Sequence, residues 1–332
     1  MLMNALALFA GAALLSAALA WGWRSMALAR HWLDLPDARR LHTAPTPRGG
    51  GVAIAAVMLA CSPWLGAAAP AFAAGLVITA AGGLLDDLRP LRALPKLAIQ
   101  GLGALPLAVA VPLMPEQLGQ LMGVVLAWSS LLVLVNFWNF MDGSNGMAAG
   151  QALIVGLGLA WLAGAGSAAG LLGLAMAAGC LGFLPFNLPR ARLFLGDVGS
   201  FSLGYGVAAA LLIALSEGQA QPWHLLLLPS AFLLDAGLTL ALRVARRQRF
   251  WLAHREHVYQ RAVAHGFSHG AVMLAYAGWG VLAAWLGVVF TGSGDGLLIA
   301  LLLLSLAGLI VYVSAILLWP LPSAVTMSEL SE

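Results

Sequence analysis

PAFAAGLVITAAGGLLDDLRPLRALPKLAIQGLGALPLAVAVPL, residues 70–113, holds two apolar runs around a short polar island. Runs 70–86 and 96–113 each approach the roughly 20 apolar residues that cross a bilayer as a helix. They are continuously apolar rather than alternating, which selects helices over barrel strands. Those are the two architectures that satisfy every backbone group in lipid. The island, 87–95, brings Asp87, Arg89 and Arg92 together, with Asp86 and Lys96 at its margins.

The same alternation extends in both directions. The predicted spans are 2–23, 51–68, 70–86, 96–113, 118–136, 147–164, 168–186, 199–216, 223–245, 270–290 and 296–318. Pro63, Pro70, Pro106 and Pro112 blur the second, third and fourth, because proline kinks or ends helices. All 16 lysines and arginines fall in residues 24–48, 89–96, 190–192 and 243–261. Lys/Arg bias marks the cytoplasmic side, so the inner loops are 24–50, 87–95, 137–146, 187–198 and 246–269. An odd number of spans puts the N-terminus outside and the acidic tail inside. The expected fold is an all-α, polytopic integral membrane protein with about 10–11 transmembrane helices. It forms one domain over 1–332 with a cytoplasmic-face active site.

Composition agrees. Hydrophobic residues make up 61% of the chain, charged residues 9%, and mean hydropathy is +0.92; soluble domains hold about 45–50% and about 25%. A net charge of +3 without a basic groove excludes nucleic acid as a partner, and the lipid bilayer takes its place. Cys61 and Cys180 lie in apolar stretches and read as small buried hydrophobes. No basic residue precedes the first apolar run, so 2–23 reads as a retained helix and not a cleaved signal. GAGSAAG, 164–170, lacks the spacing and preceding strand of a dinucleotide loop and reads as close helix packing.

The chemistry lies in the inner islands. Adjacent Asp86 and Asp87, in GGLLDDLRPLRALPK (82–96), cannot share a helix face, so they take different jobs. One meets a metal or accepts a proton, and the other binds a backbone group or basic partner. In NFWNFMDGSNG, 136–146, Asn136, Asn139 and Asp142 recur every third residue and line one side of a helical turn; a plain polar turn is the other reading. FNLPRARLFLGDVGS, 186–200, carries Asn187, Phe194 and Asp197. Gly196 and Gly199 leave that carboxylate unhindered, and few protein carboxylates suit Mg²⁺ shared with phosphate oxygens. A helix N-cap is the alternative role for Asp197.

WLAHREHVYQRAVAHG, 251–266, sets His254, His257 and Arg261 on one helical face, where they could grip a phosphate; zinc would need further ligands. In 34–51, Arg39, Arg40 and His42 fit membrane anchors, whereas Arg48 before three glycines fits a substrate contact. Asp235 lies inside a span, in an i, i+4, i+8 stripe with Thr239 and Arg243. A functional carboxylate, a structural hydrogen bond and an ion pair with Arg243 all remain open.

LLDDL, NFMDGSNG, FNLPRARLFLGDVGS and HREHVYQR, in this order, resemble the polyprenyl-phosphate N-acetylhexosamine-1-phosphate transferase family (glycosyltransferase family 4 type) over roughly residues 20–320. The HRxHxYQ form is similar to its O-antigen-initiating branch. The resemblance implies that Asp197 is a ligand of Mg²⁺, with Mn²⁺ as substitute, and that Asp86 and Asp87 activate the lipid phosphate and organise the metal. It places Asn139, Asp142 and Asn187 in the active site and Phe194 under uracil. Arg48 and Lys96 then lie beside the substrates, and His257 is the first histidine of the family's histidine motif. Many members have Asp where this chain has Asn145, near the nucleotide, and Tyr259 replaces a second histidine.

The implied reaction moves N-acetylhexosamine 1-phosphate from UDP-N-acetylhexosamine to undecaprenyl phosphate, releasing UMP, with a homodimer as a further expected state. The rival expectation is a multi-span transporter or flippase for a lipid-linked or anionic substrate, which would carry coupled ionisable groups at mid-membrane.

Overall fold

The computed structural model describes residues 2–34, 45–113, 119–249 and 254–320. Arg39, Arg40, His42 and the acidic tail lie outside the described residues. The helices are α1 (Leu2–Ala29), α2 (Val52–Cys61), α3 (Ala69–Leu88), α4 (Ala93–Ala110), α5 (Gln120–Phe140), α6 (Met147–Ala163) and α7 (Ala168–Asn187). They continue as α8 (Gly196–Ser216), α9 (His224–Leu227), α10 (Ser230–Ala245), α11 (Val258–Ala264), α12 (His269–Val289) and α13 (Gly294–Leu318). Between α1 and α2, two-residue strands β1 (Leu33–Asp34) and β2 (Thr46–Pro47) pair antiparallel.

This is the all-α, multi-span membrane protein that composition predicts. Among the described residues, eight helical segments are long and apolar enough to cross a bilayer. The other predicted spans are carried by shorter helices: α2 with 10 residues, α6 with 17 and α10 with 16. Proline sets some of the differences. Pro63 follows α2 in a 3-10 turn, and Pro70 occupies the first turn of α3, where a missing amide hydrogen is harmless. The predicted span 223–245 is broken at Pro229, which separates α9 from α10. The predicted inner loop 246–269 contains α11.

Helix α8 is the centre of the bundle, buried along nearly its whole length and packed by α2, α3, α5, α6 and α7. Small residues permit this. A Cβ on Gly51 would overlap Gly199 Cα, and one on Gly83 would meet the Asp197 carbonyl at 2.5 Å. These approaches press the start of α8 against α2 and the end of α3. The Gly/Ala run 156–170 behaves likewise: Gly156 and Gly173 face each other's backbones across α6 and α7, and Ser167 caps α7 by accepting from the Gly170 amide at 3.0 Å.

Candidate active site

The C-terminal ends of α3 and α5, the N-terminal ends of α4 and α8, and the segment after β2 meet at one end of the bundle. Their side chains interlock. Lys96, in the first turn of α4, sits between two carboxylates, with Nζ 2.6 Å from Asp86 Oδ2 and 2.7 Å from Asp197 Oδ2. Arg48 Nη2 lies 2.8 Å from Asp87 Oδ1 and 3.7 Å from Asp197 Oδ1. Asn139, from α5, donates to Asp197 Oδ1 at 3.2 Å and to Ser200 Oγ at 3.1 Å. Asp197 is therefore the hub that two cations and an amide share.

The paired aspartates do different work, as their positions on a helix require. Asp87 points at the start of α8 and accepts the backbone amides of Asp197 and Val198 at 2.8 and 3.1 Å. It fills the capping role that the sequence offered to Asp197, at the end where the helix dipole favours negative charge. Gly196 adopts φ +76°, and a Cβ there would run into Asp87 Oδ2. Asp86 instead closes the end of its own helix by accepting the Leu91 amide at 2.6 Å.

Asp142 follows α5, where its backbone amide donates to the Asn139 carbonyl at 3.3 Å. Burial first, then the charges of Asp197 and Asp87, push its carboxyl well above the usual range, with Arg48 opposing. Asn187 ties two loops together, its Oδ1 accepting the Gly146 amide and its Nδ2 donating to the Leu193 carbonyl. Asn145 Nδ2 lies 3.4 Å from the Pro189 carbonyl. Phe194 is half-buried, and its backbone bonds Pro47 and Gly50, joining the 190s loop to the Arg48 segment. Beside Arg48 and Asp87 is a cavity of about 180 Å³ walled by Trp23, Trp32, Leu84 and Leu88.

The histidine motif forms a second layer. His257 stacks near Phe140 and Tyr259, with ring centroids 6.4 and 5.8 Å away, and His254 lies 4.9 Å from it. Burial, then the charges of His257 and Arg243, push His254 down to about 4. The Tyr259 hydroxyl donates to the Phe140 carbonyl at 3.0 Å, fastening α11 to the end of α5. Arg261 is not brought to the carboxylates: it is buried, donating to the carbonyls of Glu256 and Trp319. Nor does Arg243 pair with Asp235, since it binds Glu256.

Sequence reasoning missed Ser200, which lay within a quoted island, and Trp23, whose indole donates to the Arg48 carbonyl at 2.9 Å. It also missed Gln100, whose side chain accepts from Asn136 at 2.9 Å one turn below Lys96 and Asn139.

Fold and site together define a polytopic membrane enzyme with its polar machinery at one end of the helices. The description "Glycosyl transferase family 4" matches residues 69–215. A decaprenyl-phosphate N-acetylglucosaminephosphotransferase of Mycobacterium tuberculosis is 30% identical over 79% of this chain and 75% of its own. A probable undecaprenyl-phosphate N-acetylglucosaminyl 1-phosphate transferase of Bacillus subtilis is 30% identical over 71% of each. A phospho-N-acetylmuramoyl-pentapeptide-transferase of Symbiobacterium thermophilum is 33% identical over 76% of this chain and 84% of its own. The chain belongs to glycosyl transferase family 4, the family that its motifs resemble.

Proposed function

We propose that this enzyme transfers N-acetylhexosamine 1-phosphate from a UDP-sugar to undecaprenyl phosphate, producing undecaprenyl-diphospho-sugar and UMP. The reaction takes place at the cytoplasmic face of the bacterial inner membrane and initiates O-antigen or a related envelope polysaccharide. The observation that carries this is the cluster of Asp86, Asp87 and Asp197 interlaced with Arg48 and Lys96. It concentrates both signs of charge where the basic loops meet the end of the bundle.

Two anionic phosphates must approach each other, so catalysis rests on neutralisation and alignment. Arg48 and Lys96 supply the positive charge, and their carboxylate contacts hold them in place. A phosphate monoester's second pKa near 6 leaves the acceptor mostly dianionic at neutral pH. Its oxygen attacks the β-phosphorus, the bond from that phosphorus to the bridging oxygen breaks, and UMP leaves with the electron pair. Asp86 or Asp87 takes any residual acceptor proton; the first is held by the Leu91 amide and Lys96, the second by two backbone amides and Arg48. Asn139 orients Asp197, and His257 binds phosphate from the second layer.

The donor set also suits Mg²⁺. Asp197, Asp86 and the Asn139 carbonyl all offer oxygens, and the three carboxylates Asp86, Asp87 and Asp197 exceed the two cations among them. Among the described residues no group of three His, Cys, Asp or Glu converges on one point. Mg²⁺ characteristically takes one or two carboxylates and completes its shell with substrate phosphates and water. When bound, it would stabilise negative charge on the diphosphate oxygens.

The test is UMP release by purified protein from a panel of UDP-amino sugars, with and without undecaprenyl phosphate. Release that requires the lipid, stops in EDTA and returns with Mg²⁺ or Mn²⁺ is the expected result. Undiminished turnover in chelator would remove the metal from the account. The panel also names the sugar, among N-acetylglucosamine, N-acetylgalactosamine and the 6-deoxy amino sugars. The transporter alternative finds no support in Asp235, whose contacts are all with neighbouring protein groups.

A further inference from the structure

We propose that Asp235 is the positioning residue for His257. Its carboxylate holds the start of α11 and faces the imidazole Nδ1, leaving Nε2 as the ring nitrogen presented to a substrate phosphate. This rests on the role given to His257 above.

Asp235 is 5% exposed, inside α10. A carboxylate buried so deeply persists only where its oxygens are satisfied, and this one is held from three directions. Oδ1 accepts the Val258 amide at 2.9 Å and the Thr239 hydroxyl at 3.3 Å. Oδ2 accepts the Tyr259 amide at 3.3 Å and the Tyr276 hydroxyl, from α12, at 2.5 Å. The two amides belong to the first turn of α11, so Asp235 caps that helix across space and sets where it begins. His257 immediately precedes the helix, and its Nδ1 lies 3.5 Å from Asp235 Oδ1.

The obvious counter-ion is absent. Arg243, two turns along the same helix, is taken by Glu256, so the negative charge of Asp235 is directed at the imidazole. The ring has little freedom otherwise: His257 is 3% exposed and lies between Phe140 and Tyr259. The two nitrogens of an imidazole point in different directions, so a carboxylate facing one sets the aim of the other. Tyr259 then carries the arrangement to the active site through its bond to the Phe140 carbonyl, at the end of the helix bearing Asn139.

The experiment is a double-mutant cycle on purified full-length enzyme, measuring turnover of Asp235→Asn, His257→Ala and the pair. Asp235→Asn should lower turnover roughly tenfold or more alone and add almost nothing in the His257→Ala background. Tyr276→Phe removes one bond to Oδ2 while keeping the charge. It should show a smaller loss that also vanishes in that background, and it serves if Asp235→Asn does not insert. An equal loss in both backgrounds would make Asp235 merely structural and overturn the proposal. Full activity of His257→Ala would instead remove the role of His257 itself. An impaired His257→Ala beside fully active Asp235→Asn and Tyr276→Phe would overturn the positioning claim alone.

Discussion

Asp197 illustrates what a single carboxylate does when several groups converge on it. Lys96, Arg48 and Asn139 all address its two oxygens. Replacing it by Asn keeps the shape and deletes the charge that those cations and a divalent ion would share. Turnover of Asp197→Asn should fall by at least ~10²–10³, the scale of losing one preorganised electrostatic contact, while the protein still inserts. Turnover within a fewfold of the parent would contradict its central place.

His254 makes a prediction of opposite character. Its folded-state pKa is pushed down to about 4, against roughly 6.5 in an unfolded chain. The folded protein therefore binds fewer protons at this site, and stability falls as pH drops from about 6.5 toward 4. Thermal unfolding in detergent across that window should show the decline, and His254→Gln should flatten it. An unchanged slope would mean other groups carry the acid sensitivity.

Among the elements, the junction of α3 with α8 matters most. Asp87 caps α8 from another helix, and Gly196 makes room for it at φ +76°. A side chain at residue 196 meets both a left-handed backbone and an occupied oxygen. Gly196→Ala should destabilise the protein by about 1–2 kcal/mol from backbone strain alone. It should also lower activity, because Asp87 must move. Melting temperature together with turnover checks this, and a variant unchanged in both would contradict the cap.

At this scale the sequence was informative where chemistry is local. The different jobs of Asp86 and Asp87 follow from adjacency on a helix, and the placing of Asn136 one turn from Asn139 on α5 follows from three-residue spacing, whereas Asp142 lies beyond that helix. It was silent where tertiary packing decides. The pairing of Asp235 with His257 crosses from α10 to the start of α11, and the equally plausible i+8 partner, Arg243, went to Glu256. Arg261 shares its spacing with His257 but turns inward to Trp319, because a short helix against α13 can present only one side to the site.

For the whole molecule, the charge segregation that marked the inner loops now coincides with the end of the bundle that gathers the carboxylates. The spans were legible from hydropathy, whereas the break at Pro229 and the helix within 246–269 depended on local backbone and long-range capping. Orientation has its own test. In a background lacking Cys61, Gly166→Cys should react with a membrane-impermeant thiol reagent applied to the periplasmic side. Ala264→Cys should react only after permeabilisation. The reverse pattern would invert the proposed topology.

The central claim, that a phosphate travels with the sugar, is tested most directly by following the phosphorus. With UDP-N-acetylhexosamine radiolabelled at the β-phosphate, purified enzyme and undecaprenyl phosphate, the account predicts label in the lipid fraction, matched one to one by unlabelled UMP. Sugar reaching the lipid while the label stays in water-soluble UDP would contradict it.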